Sequence, residues 1–264
     1  MRKRITLKGI FDPLTESEVK VIRQYVRKGY AVAVYAEGEG ILSVCKRMRL
    51  LALALRPYRH IHIAFSKKGL DITDGSEEEK VRCGFYYRAA RGICRMLVEE
   101  GMYFAYALQV HCSSHRCAHS ISVAALCMEL ATRQGVDIHA AWTAGMLHDI
   151  TKSMPKEQAY AILQHQNPDQ LHVHPNIWHA YTACYWLKRN MGMRDRKILR
   201  AIGAHTTGEA KAKLAMVLYV ADKCERTRGY NTEVEIALAK KDLRKAFELV
   251  KQEAQAYRRR EENG

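Results

Sequence analysis

The sequence predicts an α+β chain of two domains, a small α/β domain at residues 1–102 followed by an all-helical domain at residues 103–264. Short apolar runs alternate with helix-periodic stretches up to about residue 65. After residue 75 no segment shows the period of two that marks a strand. Ten of the twelve histidines lie between residues 111 and 205, so the helical part also holds most of the metal-binding chemistry.

The N-terminal domain is predicted to run strand, helix, strand, helix, strand. The strands are expected at residues 5–7, 30–35 and 61–65, and the helices at residues 18–26 and 42–55. Glycines at positions 38 and 40 indicate a loop after the second strand. This order predicts a small parallel sheet.

The remaining chain is predicted to be helical. Ser76, followed by three glutamates, is a good helix start. Gly135, Gly192 and Gly208 are typical of helix ends, and Asp137 and Asp195 of helix starts. The predicted helices span about residues 76–100, 103–113, 115–134, 138–151, 155–166, 175–191, 195–205, 213–225 and 232–260, the last with a break.

Charge is unevenly distributed. The chain has 43 basic and 28 acidic residues, a formal net charge of +15. Residues 111–179 contain 4 basic and 5 acidic groups, so the excess positive charge flanks a nearly neutral middle, which suits a polyanionic ligand. No apolar run approaches the roughly 20 residues of a membrane span, and the N-terminus has no apolar signal core. These features predict a cytoplasmic protein without a membrane partner.

Four side chains form a candidate metal site. His148 and Asp149 are adjacent and stand shortly before Pro155, so they are expected near a helix end, where neighbouring side chains can reach one ion. His119 has small neighbours that allow close helix approach. Asp222 follows an apolar run and, as a buried carboxylate, needs a partner. Two imidazoles and two carboxylates suit iron, manganese, zinc or another divalent ion, with positions left for water and a phosphate oxygen.

These residues resemble the HD superfamily of metal-dependent phosphohydrolases, whose signature is a histidine, a later His-Asp pair and a final aspartate. Five segments in order resemble one branch, the bacterial YqeK family. They are residues 116–120 (RCAHS), 147–152 (LHDITK), 177–180 (IWHA), 204–208 (AHTTG) and 220–222 (VAD) with Glu225 and Arg228. The resemblance implies an all-α HD domain that binds iron and cuts diadenosine tetraphosphate symmetrically into two ADP molecules.

The resemblance also implies roles for individual residues. His119, His148, Asp149 and Asp222 match the metal ligands. His179 and His205 match two further site histidines, which contact phosphate or hold a second ion, and with Lys152 they are expected to be catalytic. Arg116, Thr206 and Arg228 match positions near the phosphates or the nucleoside. The chain departs from the family pattern at Ala180-Tyr181, where a small residue and proline are usual, at Arg226, where proline is usual, and in a shorter loop after Gly208.

The N-terminal domain resembles the nicotinate-nucleotide adenylyltransferase family more faintly, in residues 9–14 (GIFDPL) and 47–54 (RMRLLALA). This implies a truncated Rossmann-like fold. The phosphate-binding H-x-G-H motif of that family falls at residues 15–18, where Thr15 and Glu18 replace the histidines and Glu16 adds a second carboxylate. Carboxylates there would repel a triphosphate, so a degenerate domain without adenylyl transfer is expected.

The predicted function is metal-dependent hydrolysis of dinucleoside polyphosphates. In this interpretation a divalent metal activates water, and nearby cations offset the charge of the phosphoryl group. Two alternatives stay open: an HD phosphohydrolase for other nucleotides, and a non-catalytic regulator that binds nucleotides or RNA. The sequence favours a nucleotide over a nucleic acid as partner and leaves open a homodimer, the number of ions and the role of the N-terminal domain.

Overall fold

The structure of the chain, a computed structural model, describes residues 2–64 and 68–262, with side chains for all of these except residues 258 and 260–262. It contains two compact units, Met1–Ala107 with Asn190–Gly192, and Leu108–Arg189 with Met193–Gly264. The boundary expected after residue 102 stays a prediction. The α+β class is confirmed, because a small parallel sheet precedes a mostly helical region.

The N-terminal unit is built on a four-stranded sheet in the order β3-β2-β1-β4. The strands are β1 (Arg4–Gly9), β2 (Ala31–Ala36), β3 (Ile61–Ile63) and β4 (Leu70–Asp71), and each neighbouring pair is parallel. Helices α1 (Glu16–Arg27) and α2 (Val44–Leu55) connect the first three strands. Parallel neighbours need such crossovers, which is the arrangement that the sequence predicted.

Three details of this unit differ from expectation. The helix expected over residues 76–100 is divided into α3 (Gly75–Arg82), a 3-10 turn (Tyr86–Arg88) and α4 (Cys94–Glu99). The division follows Gly84, whose φ of 99° is incompatible with a continuing right-handed helix. The two-residue strand β4 was not predicted, since so short a pairing leaves no periodic pattern. Phe65, the predicted end of the third strand, lies outside the described residues.

The N-terminus of α1 is closed by its own side chains. Thr15 caps the helix, and Glu18 Oε2 accepts hydrogen bonds from Thr15 N at 2.7 Å and from Thr15 Oγ1 at 2.8 Å. Glu18 Oε1 accepts from the backbone N–H of Asp74 at 2.9 Å. At this helix start, where backbone N–H groups attract anions, the N–H of Thr15 is thus bonded to a buried carboxyl group and the N–H of Glu18 to the Thr15 hydroxyl.

The buried Arg47 ties the loops after β1 and β2 together. Its guanidinium donates to the carbonyl oxygens of Ile10, Glu37, Gly38 and Leu42 at 2.6–3.0 Å. All four acceptors are backbone carbonyls of the protein itself, so this residue of the adenylyltransferase-like segment serves the fold.

The rest of the chain is helical. The helices are α5 (Phe104–His111), α6 (Ser114–Gln134), α7 (Ile138–Leu147), α8 (Lys156–Gln166), α9 (Trp178–Trp186), α10 (Arg196–Ala204), α11 (Lys213–Cys224), α12 (Glu233–Lys241) and α13 (Leu243–Glu262). A π-helical turn (Leu187–Met191) extends α9, and 3-10 turns cover Pro168–Gln170, Pro175–Ile177 and Arg226–Arg228. Within the described residues, no helix is both long and apolar enough to cross a membrane.

Several predicted helix ends are confirmed. Gly135 ends α6 in the left-handed region at a φ of 62°, and the side chains of Asp137 and Asp195 cap α7 and α10. The helix expected over residues 138–151 is shorter and ends at Leu147, because the chain turns at residues 148–153 before Pro155.

Helix α11 forms the centre of the helical unit. Every residue from Leu214 to Asp222 is buried, and the helix packs against α6, α7, α10 and α13. Helices α6 and α7 approach each other closely at Gly145, where a Cβ atom would lie 2.5 Å from the Cα of Ala124. The packing of α6, α7 and α11 brings one end of each of these three helices to one region of the unit.

Candidate metal centre and active site

Four predicted ligands come from three helices. His119 lies within α6, His148 caps the C-terminus of α7 with Asp149 directly after it, and Asp222 lies in the last turn of α11. All four side chains are buried. Local helix geometry presents each one, and the packing of α6, α7 and α11 brings them together.

The ligand atoms face one another at short distances. His119 Nε2 lies 3.2 Å from Asp222 Oδ1 and 4.0 Å from Asp149 Oδ2. His148 Nε2 lies 3.6 Å from Asp222 Oδ1 and 3.7 Å from Asp149 Oδ2. Among the described residues, His119 Nε2 and His148 Nε2 are buried without a hydrogen-bond partner. Buried polar atoms are normally paired, so these atoms have unused capacity to bind a ligand.

In three histidines a hydrogen bond at Nδ1 holds the ring so that Nε2 faces the cluster. His119 Nδ1 donates to Glu225 Oε1 at 3.0 Å. His148 Nδ1 donates to the carbonyl of Gly145 at 2.8 Å, and His205 Nδ1 to the carbonyl of Ile202 at 2.6 Å. A hydrogen bond at one ring nitrogen fixes the tautomer and orients the other nitrogen as a metal ligand.

The residues fit a divalent metal ion. Three groups of side chains have ligand atoms that lie within 4.8 Å of one another: His119, His148 and Asp149; His148, His205 and Asp222; and Asp149, His179 and His205. The unpaired nitrogens and the mixed imidazole and carboxylate donors are those that borderline divalent ions prefer. His205, predicted as catalytic or as the ligand of a second ion, is within this ligand geometry.

Both aspartates of the cluster are ionised. Burial acts to raise the pKa of Asp149, but the imidazoles of His148, His179 and His205 outweigh it and hold that pKa well below its usual value. For Asp222, burial is outweighed chiefly by Lys223, with His119 and His148 adding to it, and its pKa is also far below the usual value.

The imidazoles titrate differently from one another. Burial lowers the pKa of His148, but Asp149 and Asp222 outweigh it and raise that pKa above the usual value. Burial lowers the pKa of His205 to about 4, and it also lowers that of His179. A proton on His148 and a metal ion thus compete for the same carboxylates.

Lys152 and His179 form a second part of the site. Lys152 Nζ donates to the carbonyl of Asn176 at 3.0 Å and to His179 Nδ1 at 3.2 Å. His179 Nε2, which then carries the ring proton, lies 3.1 Å from both His205 Nε2 and Asp149 Oδ1. Burial lowers the pKa of Lys152, against the opposing effect of Asp149.

Three cations contact the carboxylates of the cluster. Arg116 donates to Asp149 Oδ2 at 2.9 Å. Arg228 donates to Asp222 Oδ1 at 2.9 Å, and Lys223 to Asp222 Oδ2 at 2.5 Å. These partly exposed side chains surround the cluster where an anionic substrate would approach it.

The cluster lies in the wall of a cavity of about 1000 Å³. Asp149, His179, His205 and Asp222 reach the cavity, as do the predicted contact residues Arg116, Lys152, Thr206 and Arg228. Thr206 Oγ1 is buried and has no hydrogen-bond partner among the described residues. The cavity therefore combines metal ligands, cations and a free hydroxyl.

Sequence reasoning assigned no role to several residues of the site. Glu225 was noted in a motif but not as the partner of His119. Lys223 was not singled out, although its position beside Asp222 was a usable signal. Tyr230, Glu235, Glu253 and Tyr257 also line the cavity. Nothing in their local pattern indicates this, because α12 and α13 reach the cavity only through tertiary packing.

Comparisons with known proteins match the part of the chain that holds this site. A family model described as HD domain matches residues 116–227. A Bacillus subtilis protein described as symmetrical bis(5'-nucleosyl)-tetraphosphatase is 37% identical over 139 residues, which cover 51% of this chain and 75% of that protein. A Clostridium acetobutylicum crystal structure, described as a predicted HD superfamily hydrolase involved in NAD metabolism, has a TM-score of 0.50 and 26% identity. It covers 54% of this chain and 78% of its own.

A longer relative contains two activities in its name. The Mycoplasma genitalium protein is described as a probable nicotinate-nucleotide adenylyltransferase/Ap4A hydrolase. It is 29% identical over 154 residues, which cover 55% of this chain and 44% of that protein. This chain thus spans less than half the length of the mycoplasma relative.

Proposed function

The chain belongs to the family of symmetrical bis(5'-nucleosyl)-tetraphosphatases, and we propose from this premise that it hydrolyses dinucleoside polyphosphates, converting diadenosine tetraphosphate and water into two ADP molecules. The observation that carries the proposal is the buried cluster of imidazoles and carboxylates in the wall of a cation-lined cavity. Polyphosphates need both features, a metal site at the reacting phosphorus and positive charge for the flanking phosphates.

His119, His148, Asp149 and Asp222 would hold the metal ion, with His205 and His179 completing the set or binding a second ion. Iron is the metal proposed here, and manganese and zinc are the alternatives that the same donors accept. A bound divalent ion supplies Lewis acidity, which lowers the pKa of water and polarises a phosphoryl oxygen.

The protein's own residues bind and orient the substrate. Arg116, Arg228 and Lys223 border the cluster and would transfer their hydrogen bonds from the carboxylates to phosphate oxygens. Lys152 holds His179 Nδ1, which leaves the proton of that ring on Nε2. From there it can hydrogen-bond to a phosphate oxygen or to the departing ADP.

The proposed reaction is a balanced hydrolysis. The oxygen of water bonds to one of the two central phosphorus atoms, and the bond from that phosphorus to the central bridging oxygen breaks. The bridging oxygen leaves as the terminal oxygen of the second ADP. The proton from water passes to solvent or to a basic group of the site, so no oxidant or further reactant is needed.

The Asp222→Ala variant tests the proposal. We expect it to lose turnover of diadenosine tetraphosphate and most of its bound metal, while its circular dichroism spectrum stays that of the wild type. Asp169→Ala, at an exposed position in the same unit, should keep full activity. Full metal-dependent activity in purified Asp222→Ala protein would refute the assignment.

The alternatives predict different products. At equal metal loading, a panel of nucleoside diphosphates, triphosphates and signalling nucleotides would identify an HD phosphohydrolase with another substrate. Salt-dependent RNA binding without any hydrolysis would indicate the regulator instead. Against the regulator, all four metal-ligand positions of the HD signature are present in this chain.

Adenylyl transfer is not proposed for this chain. Glu18 stands at one of the expected histidine positions and fills the N-terminus of α1 with its own carboxyl group. A triphosphate would meet a carboxyl group where the N–H donors of the helix are needed.

A further inference from the structure

The lining of the cavity falls into two chemically different sets. Around the metal centre the walls carry Arg116, Lys152, Lys223 and Arg228. The other set, which we call the α12–α13 wall, is made of the lining residues between positions 230 and 235 and between positions 250 and 257, and it includes Tyr230, Glu235, Glu253 and Tyr257. Among these described lining residues there is no cation, so this wall does not suit phosphate.

Two carboxylates of the α12–α13 wall favour a ligand that donates hydrogen bonds. Glu235 Oε2 is buried and has no hydrogen-bond partner within the described part of the chain. Burial raises the pKa of Glu253, and the nearby charge of Glu235 raises it further. A neutral group with several O–H or N–H donors would relieve the repulsion between the carboxylates of Glu235 and Glu253.

The same wall presents an aromatic ring. Tyr230 is 58% exposed although its hydroxyl donates to the carbonyl of Lys223 at 2.8 Å. The hydrogen bond fixes the ring in the cavity wall, and the ring remains accessible. Tyr257, on α13, is 63% exposed and lines the same wall. Accessible aromatic rings are stacking surfaces for nucleic acid bases.

We infer that the α12–α13 wall binds one nucleoside of the substrate, in a site that we call the nucleoside seat. The base stacks on Tyr230, and hydroxyl donors of the ribose or amino donors of the base bond to Glu235 and Glu253. This inference rests on the proposed function, because the cavity places the wall beside a polyphosphate site. The wall then selects nucleoside-terminated polyphosphates over inorganic ones. A nucleoside held there also sets which phosphorus lies at the metal centre.

Binding of ADP and of inorganic pyrophosphate to the full chain, measured by calorimetry, tests the seat. Tyr230→Ala should weaken ADP binding roughly tenfold or more and change pyrophosphate binding less than about twofold. Tyr230→Phe keeps the ring and should retain most of the ADP affinity. Tyr87→Ala, 57% exposed and outside the cavity lining, is the matched control and should bind both probes as the wild type does.

Glu235→Gln tests the carboxylates. If ribose hydroxyls are the donors, the variant should lose part of the preference for ADP over 2',3'-dideoxyadenosine diphosphate. If the amino group of the base is the donor, the variant should lose part of the preference for ADP over UDP. Unchanged preferences against both analogues would remove the carboxylates from the seat. Equal losses of ADP and pyrophosphate affinity in Tyr230→Ala would overturn the seat as a whole, as would no loss of either.

Failure of the seat and failure of the proposed function are distinguishable. If wild-type protein hydrolyses diadenosine tetraphosphate and Tyr230→Ala has the same KM, the seat is wrong and the function stands. If wild-type protein does not hydrolyse it but binds ADP through Tyr230, the seat stands and the proposed function is wrong.

Discussion

His119 presents Nε2 to the cluster because its other ring nitrogen is occupied. The partner, Glu225, is buried, and its Oε2 also accepts from the backbone N–H of Thr227 at 2.7 Å. Burial acts to raise the pKa of Glu225, but its hydrogen-bond donors outweigh burial and lower that pKa to about 2. An ionised carboxylate thus orients the imidazole and increases its basicity.

Removing this carboxylate should weaken metal binding without removing a ligand. We expect Glu225→Ala to lower the metal affinity by about 10- to 100-fold, measured by competition with a chelator. Glu225→Gln should lie between the wild type and the alanine variant, because an amide oxygen still accepts from Nδ1. Glu157→Gln, on the exposed side of α8, is the control. Wild-type affinity in Glu225→Ala would show that Glu225 does not position His119.

At the scale of elements, the contact between α6 and α7 sets the distance between His119 and His148. Gly145 lies one turn before His148, and its backbone packs directly on Ala124. Any side chain at position 145 must push the two helices apart, because the obstacle is backbone and not a flexible side chain.

Gly145→Ala should therefore affect both stability and metal binding. We expect the free energy of unfolding to fall by about 1–3 kcal/mol and the metal affinity to fall with it. Unfolding can be followed by tryptophan fluorescence, since Trp142, Trp178 and Trp186 all lie in the helical unit. Gly203→Ala, whose Cβ would meet only the Sγ of Cys184 at 3.3 Å, should change stability far less. Equal effects of the two substitutions would contradict this account.

The start of α1 makes the N-terminal unit sensitive to pH. Burial raises the pKa of Glu18 to about 8, against the opposing hydrogen bonds from Asp74 and Thr15, and the nearby Glu78 raises it further. The folded state therefore binds the proton more tightly than the unfolded chain, whose glutamate titrates near 4.5. The contribution of Glu18 to the free energy of unfolding is therefore complete below pH 4.5 and is lost as the pH rises through about 8.

Hydrogen exchange can measure this pH dependence. After correction for intrinsic rates, amides of β1 and β2 should lose protection between pH 5 and pH 8, by an amount on the order of a few kcal/mol. Glu18→Gln, which cannot ionise, should make this pH dependence smaller than in the wild type, leaving the part that comes from Glu78, whose pKa burial also raises. Protection that rises with pH in the wild type would show the opposite sign and refute the buried neutral carboxyl group.

At the scale of the whole molecule, charge favours an anionic substrate. The electric field of the net charge of +15 extends far from the protein at low salt, because the screening length is about 30 Å at 0.01 M. The screening length falls to about 8 Å at 0.15 M. Together with the cations at the cavity, this field should raise the rate at which a polyphosphate reaches the site.

The kcat/KM for diadenosine tetraphosphate should accordingly fall severalfold as salt rises over that range. The loss should appear mainly in KM, with kcat nearly constant, since bound phosphates are screened less than approaching ones. Sucrose at matched osmolality is the control and should leave KM unchanged. A KM independent of salt would show that charge does not guide the substrate.

Much of this architecture could be predicted from the sequence, because helices and strands depend on neighbouring residues. The alternation up to residue 65, the caps at Asp137 and Asp195, and the α+β class are local patterns of this kind. The HD signature was also readable, since its residue types and their order identify the chemistry without coordinates. The prediction of one undivided helix over residues 76–100 was wrong, because Gly84, which follows α3, interrupts the helix through the positive φ of this one residue.

The sequence by itself determined the kind of site, a set of imidazoles and carboxylates for a divalent metal and a phosphate. Only the tertiary structure decided that His179 and His205 face Asp149, that Glu225 holds His119, and that α13 contributes to the cavity. The physical reason is distance along the chain. Contacts between remote segments depend on how closely whole helices pack, and the close approach of α6 and α7 at Gly145 cannot be inferred from the residues on either side of it.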